Sequence, residues 1–207
     1  GEIVDRLDVG TAINTGTRLG DRLGLVSARG GDAVVSLVDL SPDDPRVVFQ
    51  VPVADISTVH PSLDGGVHVL ALDGTLTTYD SAGDLVSEFA TGAEEVQILT
   101  IDPGTGRLAV GTFGGVVLID TDTGEIEQLE GGEVVTNLGF ARDGSMLVIT
   151  GADGTVRLWD LERNAPAGLV WDGTGSVFAS PSWYDPEADS VWVATSGLLM
   201  EVPLDPQ

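Results

Sequence analysis

An all-β fold assembled from repeated four-stranded antiparallel units is predicted by three observations. Apolar strands and Asp-Gly turns recur with a period of about 40 residues, the size of one such unit. The 28 glycines lie beside Asp and Thr, which is turn chemistry. No segment sustains the 3.6-residue apolar period of an amphipathic helix, so essentially no helix is expected.

The clearest copy of the repeat is Gly151-Ala-Asp-Gly-Thr-Val-Arg-Leu-Trp-Asp160. Leu72 to Asp80 and Gly31 to Asp39 share its shape, Gly114 to Asp120 matches more loosely, and Ser196 to Val202 weakly. Aligned on Trp159, the equivalent positions are Val38, Tyr79, Ile119, Trp159 and Val202, spaced 41, 40, 40 and 43 apart. A four-stranded blade of a β-propeller needs about 40–45 residues. The expected organisation is one domain, 1–207, with blades at about 10–53, 54–91, 94–131, 133–172 and 175–204.

The fourth repeat shows how each blade divides. Val134 to Phe140 reads as the inner strand, Met146 to Thr150 as the second, Val156 to Asp160 as the third and Gly168 to Trp171 as the fourth. Arg142-Asp143-Gly144 and Asp153-Gly154 supply the turns, the latter as a two-residue hairpin with positive φ. The last repeat stops after a third strand near Leu204, while Glu2 to Asp8 reads as an orphan outer strand. Joining the two covers two open edges and closes a five-bladed ring. The alternative is that these repeats are a fragment of a seven-bladed propeller.

Charge excludes several partners. The chain has 33 acidic and nine basic residues, all nine being Arg, for a net charge of −24. Such a field repels nucleic-acid phosphates and anionic membranes. There is no apolar run of about 18 residues, and Gly1 to Gly10 has no apolar signal-peptide region. Absence of cysteine removes disulfides, thiolate metal sites and a Cys nucleophile, and fits a reducing, cytoplasmic setting. No G-x-x-x-x-G-K-[ST] phosphate loop is present. No cofactor or metal is expected.

The reactive-looking residues fall on structural positions of the repeat. His60 aligns with Ile101, Phe140 and Trp183, at inner-strand positions just before a turn. His68 aligns with Ala109, Leu147 and Trp192. Both histidines are therefore read as packing residues. Asp120-Thr-Asp122-Thr-Gly124-Glu125 resembles the start of a calcium loop but lacks the third ligand position and the later bidentate Glu. It falls where every repeat turns from its third to its fourth strand, so a hairpin turn is expected. Asp43-Asp44 and Glu94-Glu95 read as solvated loop charge, since adjacent residues seldom converge on one site.

Val134 to Trp171 resembles a WD repeat, in which a tight Asp-Gly turn leads to a strand closed by Trp-Asp. The resemblance implies a stabilising polar network to which Thr150, Asp153 and Trp159 contribute, although its histidine is missing at Gly131-Gly132-Glu133. Composition and the ending Pro203-Leu-Asp-Pro-Gln207 are similar to the C-terminal propellers of actinobacterial STAND-ATPase and transcriptional-activation-domain regulators. That resemblance implies a sensor or clamp within a bacterial signalling or transcriptional regulator, with ATP and DNA activities in other domains.

Two functions are expected to compete. The first is a non-catalytic scaffold or sensor that binds a protein or sister domain of basic surface. Its contact loops are the fourth-to-first and second-to-third strand connections, with Arg29, Asp73, Glu94, Phe113, Asp153 and Trp171 as candidate contacts. The second is a propeller hydrolase or lyase with a central-channel site. Inner strands of such an enzyme carry several titratable groups. Those here, Ile56 to Val59, Val96 to Thr100, Val134 to Leu138 and Val177 to Ser180, offer Gln97, Thr100, Thr136, Asn137 and Ser180 instead.

Overall fold

A computed structural model of the chain describes residues 7–9, 12–29, 32–129, 133–172, 182–195 and 198–204. The described residues form five antiparallel sheets and one helical piece, a single 3-10 turn at Arg142–Gly144. They pack as two compact units, residues 1–96 and 97–207.

In the first unit, β1 (Ala12–Leu19), β2 (Arg22–Arg29), β3 (Asp32–Asp39) and β4 (Arg46–Val53) pair in chain order. A second sheet follows: β5 (Ile56–Pro61), β6 (Val67–Ala71), β7 (Thr75–Tyr79) and β8 (Leu85–Ala90). The second unit opens with β9 (Val96–Ile101), β10 (Leu108–Thr112), β11 (Gly115–Ile119) and β12 (Ile126–Leu129). Next come β13 (Val135–Ala141), β14 (Met146–Gly151), β15 (Thr155–Asp160) and β16 (Ala165–Asp172). The last sheet holds β17 (Ser182–Asp185), β18 (Ser190–Thr195) and β19 (Leu198–Pro203). The expected inner strand Val177 to Ser180 lies outside the described residues. So do residues 2–6 of the expected N-terminal strand, and the described Leu7 to Val9 are not strand.

One turn differs from expectation. At Asp73-Gly74 and Asp153-Gly154 only the glycine has positive φ, +80° and +83°. A two-residue type I′ hairpin needs both residues there. Each loop instead spans three residues, because the Asp carboxylate accepts the backbone N–H of Thr75 or Thr155 two residues on and holds the Asp in an ordinary conformation.

Burial runs from the middle of each sheet outward. β10 and β11 are buried at every position, and β3 at its last six. Strands packed on both faces read as near-continuous apolar runs rather than alternating ones. The fourth-position strands β8 and β12 are mostly exposed. Val26, Val35, Val59, Val67 and Val69 form the core between the two sheets of the first unit. In the second unit one core, around Val135, Leu138, Leu147 and Trp159, joins the sheets β9–β12 and β13–β16. Another, around Met146, Val148, Val156, Val191 and Val193, joins β13–β16 to β17–β19. Each such side chain contributes about 1.5–3 kcal/mol on burial. β19 holds a third-strand position but is exposed like an outer strand, with Leu198 at 64% and Leu199 at 56%.

A carboxylate closes each complete repeat. Asp39, Asp80, Asp120 and Asp160 follow the four anchors Val38, Tyr79, Ile119 and Trp159. Oδ1 of Asp39 accepts the Ser41 N–H, and that of Asp80 accepts the N–H groups of Ala82 and Asp84. Oδ1 of Asp120 takes those of Asp122 and Thr123, and Oδ1 of Asp160 those of Glu162 and Arg163. The Ser41 hydroxyl holds Asp39 below the usual aspartate range, and the backbone N–H groups of Thr123 and Arg163 do the same for Asp120 and Asp160. The fifth repeat has Pro203 at this position, and no fourth strand follows among the described residues.

At the same end, side chains tie the sheets of the second unit together. Arg142 grips Asp189 with two hydrogen bonds, of 3.0 and 2.8 Å, and the Tyr184 hydroxyl donates to the same carboxylate. Arg107 Nη2 donates to the Gly144 carbonyl. Gly144 is required there: its φ is +83°, and a Cβ would lie 2.3 Å from Asp102 Oδ2.

Asp160→Ala removes two turn hydrogen bonds and is expected to lower Tm by roughly 2–5 °C in a thermal melt. An unchanged Tm contradicts the capping role.

Candidate functional site

Consecutive strands in every sheet are antiparallel. Within each unit, the second-to-third hairpins and the fourth-to-first links therefore share one end of the sheets. The third-to-fourth turns with their capping aspartates occupy the other end.

In the first unit this end carries Asp73, on the β6–β7 hairpin, and Glu94, on the β8–β9 link. The structure brings the two loops together. Thr91 donates both its N–H (3.0 Å) and its hydroxyl (2.7 Å) to the Gly74 carbonyl. Gly74 cannot carry a side chain, since a Cβ would sit 2.1 Å from the Ala93 carbonyl oxygen. The Thr75 N–H holds the Asp73 carboxyl below its usual range. Glu94 is exposed. Arg29 ends β2, and its side chain lies outside the described residues. Leu72, at the tip of the Asp73 hairpin, is 57% exposed and was not singled out as a contact. Its alignment with Phe113 and Ala152, at the same hairpin position, is the signal that marks it.

In the second unit the same end carries Phe113, at the β10–β11 hairpin, 46% exposed. Asp153 occupies the β14–β15 hairpin, where Oδ1 accepts the N–H (2.9 Å) and hydroxyl (2.7 Å) of Thr155. Burial pushes this carboxyl up, but the Thr155 bonds and the Arg157 charge outweigh it and hold the group low. Arg157 makes a two-pronged pair with Glu133, at 2.8 and 3.0 Å, and lies 3.8 Å from Asp153. It thus links the β12–β13 connection to the β14–β15 hairpin. Trp171 pairs with Val156 in the sheet and packs half-buried on the outer core, its indole N–H enclosed without a partner among the described residues. Trp183 is the more exposed indole and stacks on Trp192, with centroids 6.2 Å apart.

Thr150, Asp153 and Trp159 do not share a network. Thr150 Oγ1 lies 2.7 Å from Ser182 Oγ, Trp159 Nε1 donates to Asn164 Oδ1 at 3.2 Å, and Asp153 serves its own turn. No histidine stands at residues 131–133. The inner-strand Asn137 also donates to Ser182, at its carbonyl (2.5 Å), so Asn137 and Thr150 both serve contact between sheets.

A cleft of about 210 Å3 opens between the sheets β9–β12 and β13–β16. Its walls are mainly apolar, with Glu133 and Arg157 among its polar lining.

The groups with catalytic or metal-binding appearance have structural partners. His60 and His68 face each other across β5 and β6, as Phe140 faces Leu147 and Trp183 faces Trp192. Both histidines are buried. His60 Nδ1 donates to the Pro61 carbonyl at 2.8 Å, and His68 Nδ1 bonds the Thr78 hydroxyl at 3.0 Å. The Asp120 carboxylate is directed at its own turn, as described above. Among the described residues no group of three His, Asp or Glu side chains is placed to hold a metal ion, and no helix is long and apolar enough to cross a membrane.

Burial lowers the pKa of both histidines, that of His68 to about 4. The unfolded chain takes up protons below about pH 6.5 that the folded imidazoles reject. Stability is therefore full above pH 6.5 and falls as pH drops toward 4, by roughly 3 kcal/mol for His68. Urea melts at pH 7 and 4.5 should show this loss, and the His60→Phe/His68→Leu double variant should lose most of it. An equal pH dependence in the variant contradicts the assignment.

Compared with known proteins, no family model and no curated protein matches this chain.

Proposed function

We propose that the chain is a non-catalytic interaction module, a scaffold or sensor, that binds a protein or sister domain of basic surface through the loop ends of its units, with Asp73 and Glu94 in the first and Phe113 and Asp153 in the second. The observation that carries this reading is the contrast between the two ends of the sheets. At one end the recurring aspartates are consumed by their own turns. At the other end of each unit Asp73 and Asp153 also serve their own turns, but Glu94 in the first unit and the aromatic Phe113 in the second stand exposed on loops held by the Thr91–Gly74 and Thr112–Gly115 bonds. Rigid loops with exposed aromatic and charged groups suit interfaces. A net charge of −24 favours a basic partner and speeds encounter with it.

We further propose that the five sheets are blades of a closed WD-repeat-type propeller in which residues 2–6 supply a fourth strand beside β19. The exposed Leu198 and Leu199 support this, because an open strand edge invites pairing. The module then belongs to a cytoplasmic bacterial signalling or transcriptional regulator whose nucleotide- and DNA-handling domains lie elsewhere in the full gene product.

Affinity capture from extracts of the source cell is expected to recover a saturable partner. Its binding should weaken about tenfold or more between 50 and 300 mM salt. Asp73→Arg and Asp153→Arg should weaken it further. Failure to recover any saturable partner contradicts the interaction role. Deleting residues 1–8 should lower Tm by roughly 5 °C or more, and an unchanged Tm contradicts the strand-completion reading.

A further inference from the structure

We propose that the cleft between the sheets β9–β12 and β13–β16 is an anchor pocket for one large apolar side chain, Leu or an aromatic, presented by a basic segment of the partner. This rests on the interaction reading above and assigns it a site.

Three observations select that occupant. The first is size. At about 210 Å3 the cleft is below the roughly 300–1,000 Å3 of small-molecule sites, yet large enough for a single bulky side chain. The second is the wall. Val116, Leu129, Val135, Ile149, Trp159 and Pro166 line it, and Val116, Leu129, Val135 and Trp159 are also members of the core that joins the two sheets. The pocket is therefore continuous with the core that joins the two sheets. Interfaces concentrate their affinity where one apolar or aromatic anchor fills a preformed pocket. The third is charge. Glu133 and Asp153 flank a single guanidinium, Arg157, which the two-pronged pair with Glu133 holds in place. All three are partly exposed, so the surplus negative charge faces incoming groups. Arg or Lys beside the anchor gains from that surplus, whereas Asp or Glu is repelled.

The test titrates isotope-labelled full chain with the peptide acetyl-Arg-Ser-Leu-Ser-Arg-amide, followed by amide and indole NMR shifts. Saturable shifts are expected at the amides of Gly115, Thr155 and Gly168 and at the Trp159 indole. Replacing the central Leu by Ala, or both Arg by Glu, should each weaken binding about fivefold or more. Ile149→Phe fills the cleft and should abolish the shifts while the thermal melt confirms a folded chain. Glu133→Gln should weaken binding about twofold. If Ile149→Phe does not fold, the three peptides on the unmodified chain decide. Equal responses to all three peptides, or no shifts at these positions up to about 10 mM, a range that covers weak binding, overturn the proposal. Undiminished capture of the cellular partner by folded Ile149→Phe also overturns it and leaves the wider reading standing. Failure of the wider reading alone shows differently: the peptide saturates the cleft, but no cellular partner is recovered.

Discussion

The hydrogen bonds from backbone N–H groups to the aspartate at or just after the end of the third strand of each complete repeat are the interaction on which the repeat depends. A meandering sheet must reverse direction there, and the reversal leaves amide donors without strand partners. Asp39, Asp80, Asp120 and Asp160 accept those donors within two to four residues. The preceding anchor residue points the other way, as alternation along a strand requires. Val38 and Ile119 are fully or nearly fully buried and Trp159 largely so. One dipeptide thus fixes both the core contact and the turn. Where Pro203 replaces the aspartate, the described sheet stops at three strands.

This arrangement also bears on how the acidity of the chain is read. Part of its negative charge is structural, committed to turns at one end of the sheets. Asp39, Asp120 and Asp160, held low by their turn hydrogen bonds, serve poorly as proton donors, since a general acid needs a raised pKa. The histidines are restrained in the opposite sense: burial keeps them neutral and packed across β5 and β6. In each unit the opposite ends of the sheets carry bonds between loops, Thr91 to Gly74 in the first unit and Arg157 to Glu133 in the second. Such loops are pre-organised, which reduces the entropy lost when a partner docks.

Much of the fold was legible because its signals are local. Strands β13 to β15 start and end within one or two residues of their sequence-read limits, as both apolar runs and turn residues mark them. β16 begins three residues earlier than read, at Ala165, because Pro166 and Gly168 mask its start. Aligning repeats marked His60 and His68 as packing residues, and both are buried; their pairing across β5 and β6 appears only in the structure. What stayed hidden depends on neighbours distant in sequence. Asn137 and Thr150 meet Ser182, and Arg142 meets Asp189, across 32 to 47 residues. No local pattern encodes those partners. The hairpin type at Asp153-Gly154 was misread because a side-chain bond to Thr155 overrides the dipeptide's usual preference. The cleft beside Trp159 is a packing shortfall between two sheets, which no single strand reveals.

The most direct test of structural rather than catalytic carboxylates is a carbon-detected NMR titration of the side chains of Asp39, Asp120, Asp153 and Asp160. All four midpoints should lie below the ordinary aspartate value of about 3.9, in keeping with the hydrogen bonds each carboxylate accepts. Ordinary midpoints would contradict the turn-capping role, and a midpoint raised toward neutrality would identify instead a carboxyl poised for proton transfer.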